Sequence, residues 1–214
     1  WERHGNIHGF HECPELFPLA IDGNPNEVRW IMNGASGEYH IGFFDGKTFT
    51  PETKNTIAMY NGAQCYAAQT FNNTKEAFGR QPRRIQVAWQ GGRCGQISTP
   101  LELTLRTTPL GLRVCKLPAK EIRTIYLRSV NLDGAKLSPG RANPLAGLRG
   151  GLYDIDLQAD LAYVKEFIIN IRGMKLVIKV TDKGVECREM IVPGTKMLSL
   201  RLVVDNTSAD IFFW

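Results

Sequence analysis

Apolar and polar residues alternate along this chain in short runs, and a helical spacing is weak throughout. Residues 27–32 (Glu-Val-Arg-Trp-Ile-Met) and 38–44 (Glu-Tyr-His-Ile-Gly-Phe-Phe) predict two strands joined by the turn-rich connector Asn33-Gly34-Ala35-Ser36-Gly37. Asp45-Gly46 predicts a hairpin-type turn after the second strand. Further strands are expected at residues 65–70 and 84–89, the latter ended by Gly91-Gly92. One helical turn is expected near residues 118–126, where Pro118 suits a first helical position. From 131 to 151, glycine and proline replace large apolar residues and mark a boundary. Strands rich in isoleucine and valine are predicted beyond it, at 152–157, 166–172, 175–180 and 198–204. Short antiparallel strands at this spacing indicate a sandwich, barrel or propeller. The chain is therefore expected to be all-β, in two modules.

Composition narrows this little. The 214 residues can bury a substantial core, and 43% apolar with 22% charged residues is ordinary for a globular protein. No apolar run approaches the roughly 20 residues that span a bilayer. No basic-then-apolar leader is present, so the compartment is left open, and the start at Trp1 is expected to reflect a processed chain or a fragment. The net charge of +5 raises nucleic-acid binding, but the basic residues do not cluster. Arg80, Arg83, Arg84 and Arg93 are interrupted by apolar strand residues, which predicts a solvated basic surface and no nucleic-acid partner.

Cys13, Cys65, Cys94, Cys115 and Cys187 are widely spaced and odd in number, which supports neither a zinc site nor a complete disulfide framework. His4, His8 and His11 lie close together, yet no second ligand set follows; a polar loop rim is the simpler expectation, with no metal or cofactor. The most informative stretch is Glu12-Cys13-Pro14, just before the apolar Leu16-Phe17-Pro18-Leu19. It presents one carboxylate on a loop tip whose backbone is stiffened by a proline and a strand, as catalytic carboxylates of sugar-cleaving enzymes are presented. Glu15 lies three positions along an extended segment and is expected to face away from Glu12. Asp22 and Asp45 each adjoin a glycine and are expected to form turns.

The Glu-Cys-Pro run closely resembles that of the glycoside hydrolases that cut β-fructosidic bonds, family 32, which includes invertases, inulinases and levanases. The resemblance continues in family order. Residues 39–49 (Tyr-His-Ile-Gly-Phe-Phe-Asp-Gly-Lys-Thr-Phe) look like its aromatic-Gly-Phe-Asp-Gly segment, and 65–71 (Cys-Tyr-Ala-Ala-Gln-Thr-Phe) like its Phe-Tyr-Ala-Ala-Gln strand. Residues 83–89 (Arg-Arg-Ile-Gln-Val-Ala-Trp) resemble its Arg-Arg-Ile strand, 100–105 the exit from its catalytic domain, and 200–212 its terminal strand.

The resemblance implies a partial five-bladed β-propeller over residues 1–107, a linker over 108–130 and a β-sandwich over 131–214. It implies a glycosidase acting on sucrose, inulin or levan, with Glu12 as general acid/base and Trp89 and Tyr66 in the sugar pocket. The family's nucleophile lies in a Trp-Met-Asn-Asp-Pro-Asn-Gly motif and a second aspartate in an Arg-Asp-Pro motif, and this sequence has neither. Trp30-Ile31-Met32-Asn33-Gly34 is only superficially similar, having no aspartate. Retaining glycosidases need two carboxylates about 5–5.5 Å apart. The chain is thus expected to supply the acid/base of an intact enzyme and to be inactive alone. The alternative is a non-catalytic, truncated propeller–sandwich protein that binds carbohydrate or nothing.

Overall fold

The computed structural model describes residues 2–58, 65–71, 74, 83–91, 95–188 and 190–214; Arg80, Gly92, Arg93 and Cys94, named above, lie outside them. Among the described residues the chain is all-β apart from one 3₁₀ turn. The first half comprises β1 Glu15–Ile21, β2 Asn24–Asn33, β3 Glu38–Phe44, β4 Phe49–Pro51, β5 Ile57–Ala58, β6 Cys65–Thr70, β7 Arg84–Gln90, β8 Gln96–Ile97, β9 Leu101–Thr108 and β10 Gly111–Pro118. Each strand predicted from alternation in this half is present. The β9–β10 hairpin continues the sheet to Pro118, within the stretch expected as linker, because Leu101, Leu103 and Leu105 alternate inward and need a cover.

These strands form two four-stranded antiparallel meanders, β1-β2-β3-β4 and β6-β7-β9-β10. They are joined by a parallel bridge from Ile21 to Leu105, where Asp22 N–H donates to the Leu105 carbonyl at 2.9 Å. Among the described residues β1 is paired along its length by β2 alone, which is why it accommodates Pro18. Register places Phe17, Ile31 and Ile41 on one face of the first meander. With Leu19 and Tyr39 they pack against Leu103 and Leu105 of the second, so the two meanders stack through one apolar core. Each fully buried side chain of this kind contributes about 1.5–3 kcal/mol. The opposite face of the first meander carries Leu16, Pro18, Val28, Trp30, Met32 and Phe44, each half-buried, with His40 and Gly42 of β3 buried beside them.

A 3₁₀ turn, Lys120–Ile125, follows β10, and Arg83 ties it back to the sheet by bonding both Glu102 and Glu121. The second half comprises β11 Tyr153–Asp160, β12 Glu166–Ile171, β13 Met174–Thr181, β14 Gly184–Cys187, β15 Met190–Pro193, β16 Met197–Val204 and β17 Ala209–Phe213. The sheets β11-β16-β17 and β12-β13-β14-β15 enclose a core of Leu176, Ile178, Val185, Leu198, Leu200 and Leu202, which makes this half a sandwich. On the other face of β16, Arg201 forms a two-pronged ion pair with Asp154, at 2.9 and 2.7 Å, and Tyr126 donates a further hydrogen bond to that carboxylate.

Candidate active site

Glu12 lies two residues short of the end of the non-strand segment that leads into β1, and the backbone there is held from two sides. The Glu12 carbonyl accepts from Ala35 N–H at 2.9 Å, and the Ala35 carbonyl accepts from Ala67 N–H at 2.9 Å. Gln69 Nε2 donates to the Cys13 carbonyl at 3.4 Å. The loop after β2 and strand β6 therefore clamp the carboxylate-bearing segment. Gly34 permits the approach, since a Cβ there would stand 2.7 Å from the Phe10 ring and run into the Glu38 carboxylate.

A bulge in β6 aims the next side chain. Tyr66 lies opposite Trp89 and Thr70 opposite Gln86, with the register shift between Tyr66 and Gln69. That offset turns Tyr66 and Thr70 to opposite faces of the sheet. Ala67 takes the strain at φ +50°, and Cys13, beside Glu12, is also left-handed at φ +49°. Non-glycine residues adopt that region at an energetic cost, and such strain clusters at functional sites.

The Tyr66 hydroxyl donates to Glu12 Oε1. The bond pushes the Tyr66 pKa up to about 12, because a phenolate there would face the Glu12 carboxylate; desolvation adds to the effect. Tyr66 therefore stays a donor across the working pH range. The sign follows: the interaction is intact below the ordinary tyrosine value of about 10 and is lost as pH rises through the shifted one. Tyrosinate absorbance that distinguishes the native protein from Tyr66→Phe is expected only near pH 12, checked by difference titration. The Glu12 side chain is 49% exposed, with His11 Nε2 at 4.0 Å from its Oε1.

Trp89 stands opposite Tyr66 on one side and Ile97 on the other, so the three side chains share a face across β6, β7 and β8. Trp89 is 51% and Ile97 67% exposed, which leaves an open aromatic and apolar surface beside the Tyr66–Glu12 pair. The structure thus brings Glu12 and Tyr66 into contact and sets Trp89 next to Tyr66.

Glu15 is occupied elsewhere. Its carboxylate accepts the Thr70 N–H at 3.0 and 3.1 Å and the Thr70 hydroxyl, whose oxygen accepts from Arg84 Nη1 at 3.2 Å. It pins the end of β6 to β1. Asp45 accepts the N–H groups of Lys47 and Thr48 as a turn former, while Asp22 accepts the Thr107 N–H and hydroxyl and so ties its turn to β9. Among the described residues, no group of three or more His, Cys, Asp or Glu could hold a metal ion. Sequence reading did not find Ala35, Gln69 or the Glu15–Thr70 clamp. Their partners are remote in sequence, 55 positions apart for Glu15 and Thr70 and 56 for Cys13 and Gln69, and no local pattern signals them.

The glycosyl hydrolases family 32 N-terminal domain matches residues 2–97, the span that holds Glu12, Tyr66 and Trp89. A levanase of Bacillus subtilis is 31% identical over 257 residues, covering 97% of this chain and 38% of the levanase. The chain belongs to glycoside hydrolase family 32. An extracellular exo-inulinase of Meyerozyma guilliermondii is 34% identical to this family 32 chain over 104 residues, 42% of the chain and 19% of the inulinase. The solved exo-inulinase of Aspergillus awamori superposes with a TM-score of 0.69 at 19% identity, over 95% of this chain and 49% of that one. The family 32 chain thus spans less than half the length of these relatives.

Proposed function

We propose that the intact protein carrying this chain is a retaining glycosidase that cleaves β-fructosidic bonds of sucrose, inulin or levan, with Glu12 as general acid/base. The observation that carries the reading is the Tyr66–Glu12 hydrogen bond beside the exposed Trp89. The relatives named levanase and exo-inulinase supply the substrate class.

Glu12 protonates the departing glycosidic oxygen as the bond breaks, then takes a proton from the water that attacks the fructosyl–enzyme. Tyr66 orients the carboxylate through its hydroxyl, and Trp89 offers an aromatic face to the C–H surface of the sugar. The nucleophile comes from a part of the protein outside these residues, since the sequence holds no Asp-Pro-Asn motif. The first module contributes blades of a five-bladed propeller, its sheet running to Pro118 at the end of β10, followed by a linker and the sandwich. The half-buried face of Leu16, Trp30, Met32 and Phe44 is where a neighbouring blade stacks.

The test is product stereochemistry. Intact enzyme acting on levan is expected to release β-fructose first, followed by nuclear magnetic resonance before mutarotation; first release of the α anomer overturns the mechanism. The 214-residue chain alone is expected to hydrolyse neither sucrose nor levan. Turnover by that chain, abolished by Glu12→Gln, overturns the placement of the nucleophile elsewhere.

A further inference from the structure

Behind Trp89 the chain turns a polar side chain the other way. Gln90 follows it in β7 and is 9% exposed, and its amide is used at both ends. Gln90 Nε2 donates to Asp210 Oδ1 at 2.8 Å, and Gln90 Oε1 accepts from Gln96 Nε2 at 2.9 Å. Gln96 Oε1 in turn accepts from the Thr207 hydroxyl at 2.6 Å. Asp210 and Thr207 belong to the sandwich, 120 and 111 positions from their partners in sequence.

The sandwich side of this relay is rigid. Asp210 is paired with Val203 in the β16–β17 ladder. Thr207 sits in the turn between those strands, where Asp205 Oδ1 accepts the N–H groups of Thr207 and Ser208 at 2.6 and 2.7 Å. On the other side, β7 is paired with both β6 and β8, and Ser98 N–H donates to the Ala88 carbonyl at 2.8 Å while its hydroxyl oxygen accepts from Ala88 N–H at 3.0 Å. β8 is two residues long, and Gly95, at φ +56°, lies so close that a Cβ there would stand 3.1 Å from Trp89 Nε1. A small shift of the β7–β8 hairpin therefore moves the indole. Each link of the relay is a direct hydrogen bond, with the Thr207 hydroxyl also 3.2 Å from Asp205 Oδ1, so a displacement of the sandwich hairpin is passed along it to β7 and β8.

We infer that the β16–β17 hairpin of the sandwich is a latch that sets the position of the Trp89 sugar platform, with Asp210 and Thr207 as positioning residues acting through Gln90 and Gln96. The inference rests on the reading of Trp89 as a sugar-binding surface. It gives the sandwich a part in substrate binding without contact to the sugar.

The test compares Thr207→Val, Thr207→Ser, Asp210→Ala and Trp89→Ala in the intact enzyme with levan oligosaccharides. Thr207→Val and Asp210→Ala are expected to raise KM about threefold to tenfold, the worth of one hydrogen bond, with kcat nearly unchanged. Thr207→Ser, which keeps the hydroxyl, is expected to retain the native KM. Thr207 is exposed, so its variants decide the matter if Asp210→Ala does not fold. An unchanged KM in Thr207→Val while Trp89→Ala raises it overturns the latch and leaves the platform standing. A fall in kcat and melting temperature with KM unchanged, or failure of Thr207→Ser to restore KM, also overturns it. If Trp89→Ala leaves KM unchanged, the platform reading itself falls, and the latch with it.

Discussion

Glu12→Gln in the intact enzyme is expected to lower kcat on levan or sucrose by about 10²–10⁴-fold, the usual contribution of a positioned proton donor. Glutamine has the shape of glutamate and still accepts the Tyr66 hydroxyl, so the loop held by Ala35 and Gln69 stays in place and KM changes little. What is lost is the proton for the leaving oxygen and the base for the incoming water. A fructoside with a nitrophenolate leaving group needs no proton to depart. With it the variant is expected to show a burst, as fructosyl–enzyme forms and then waits for an unactivated water. Steady-state and burst kinetics on both substrates check this. A loss of less than tenfold on levan, or equal losses on both substrates without a burst, removes Glu12 from the acid/base role.

The second large effect concerns stability. Asp154→Ala is expected to cost about 3–5 kcal/mol, because it leaves a buried guanidinium without its counter-ion. The pair is tight, Arg201 Nη2 to Asp154 Oδ2 at 2.7 Å with both side chains only 8% exposed. Against a total stability of about 5–15 kcal/mol, that loss is decisive for a domain of this size. Denaturant unfolding followed through the sandwich signal checks it, and replacing the pair together, Asp154→Leu with Arg201→Met, is expected to recover most of the loss. Burial alone would raise the Asp154 pKa, but the hydrogen bonds from Arg201 and Tyr126 outweigh it and hold the carboxyl below its usual range. The contribution is therefore present above about pH 4 and is lost as pH falls through the lower native value. Native protein is expected to weaken steeply there, and the double variant to weaken less.

The sequence by itself determined the strands. Alternation of apolar residues at every second position marks Tyr39 and Ile41, or Leu198, Leu200 and Leu202, as one face of a strand, because the side-chain period of extended backbone is two. It also carried the family resemblance and singled out Glu12, whose proline neighbour and apolar strand are local features. The β9–β10 hairpin was less legible, since the alternation of Leu112-Arg113-Val114 inverts its phase over Cys115-Lys116-Leu117. Those side chains find their setting only once β10 lies on β9.

Only the tertiary structure decided what stands next to Glu12. Tyr66 is 54 positions away, and it reaches the carboxylate because a bulge at Ala67 turns it away from the face that Thr70 occupies. Glu15 looks as acidic in the sequence as Glu12, yet two donors of Thr70, its N–H to both oxygens and its hydroxyl to one, engage it as a brace. The relay from Gln90 to Asp210 is equally silent in the sequence, because a hydrogen bond across more than a hundred residues leaves no periodicity. Local pattern reports the conformation of the backbone. Which side chains meet is set by strand register and by how the sheets stack, and those are properties of the folded chain as a whole.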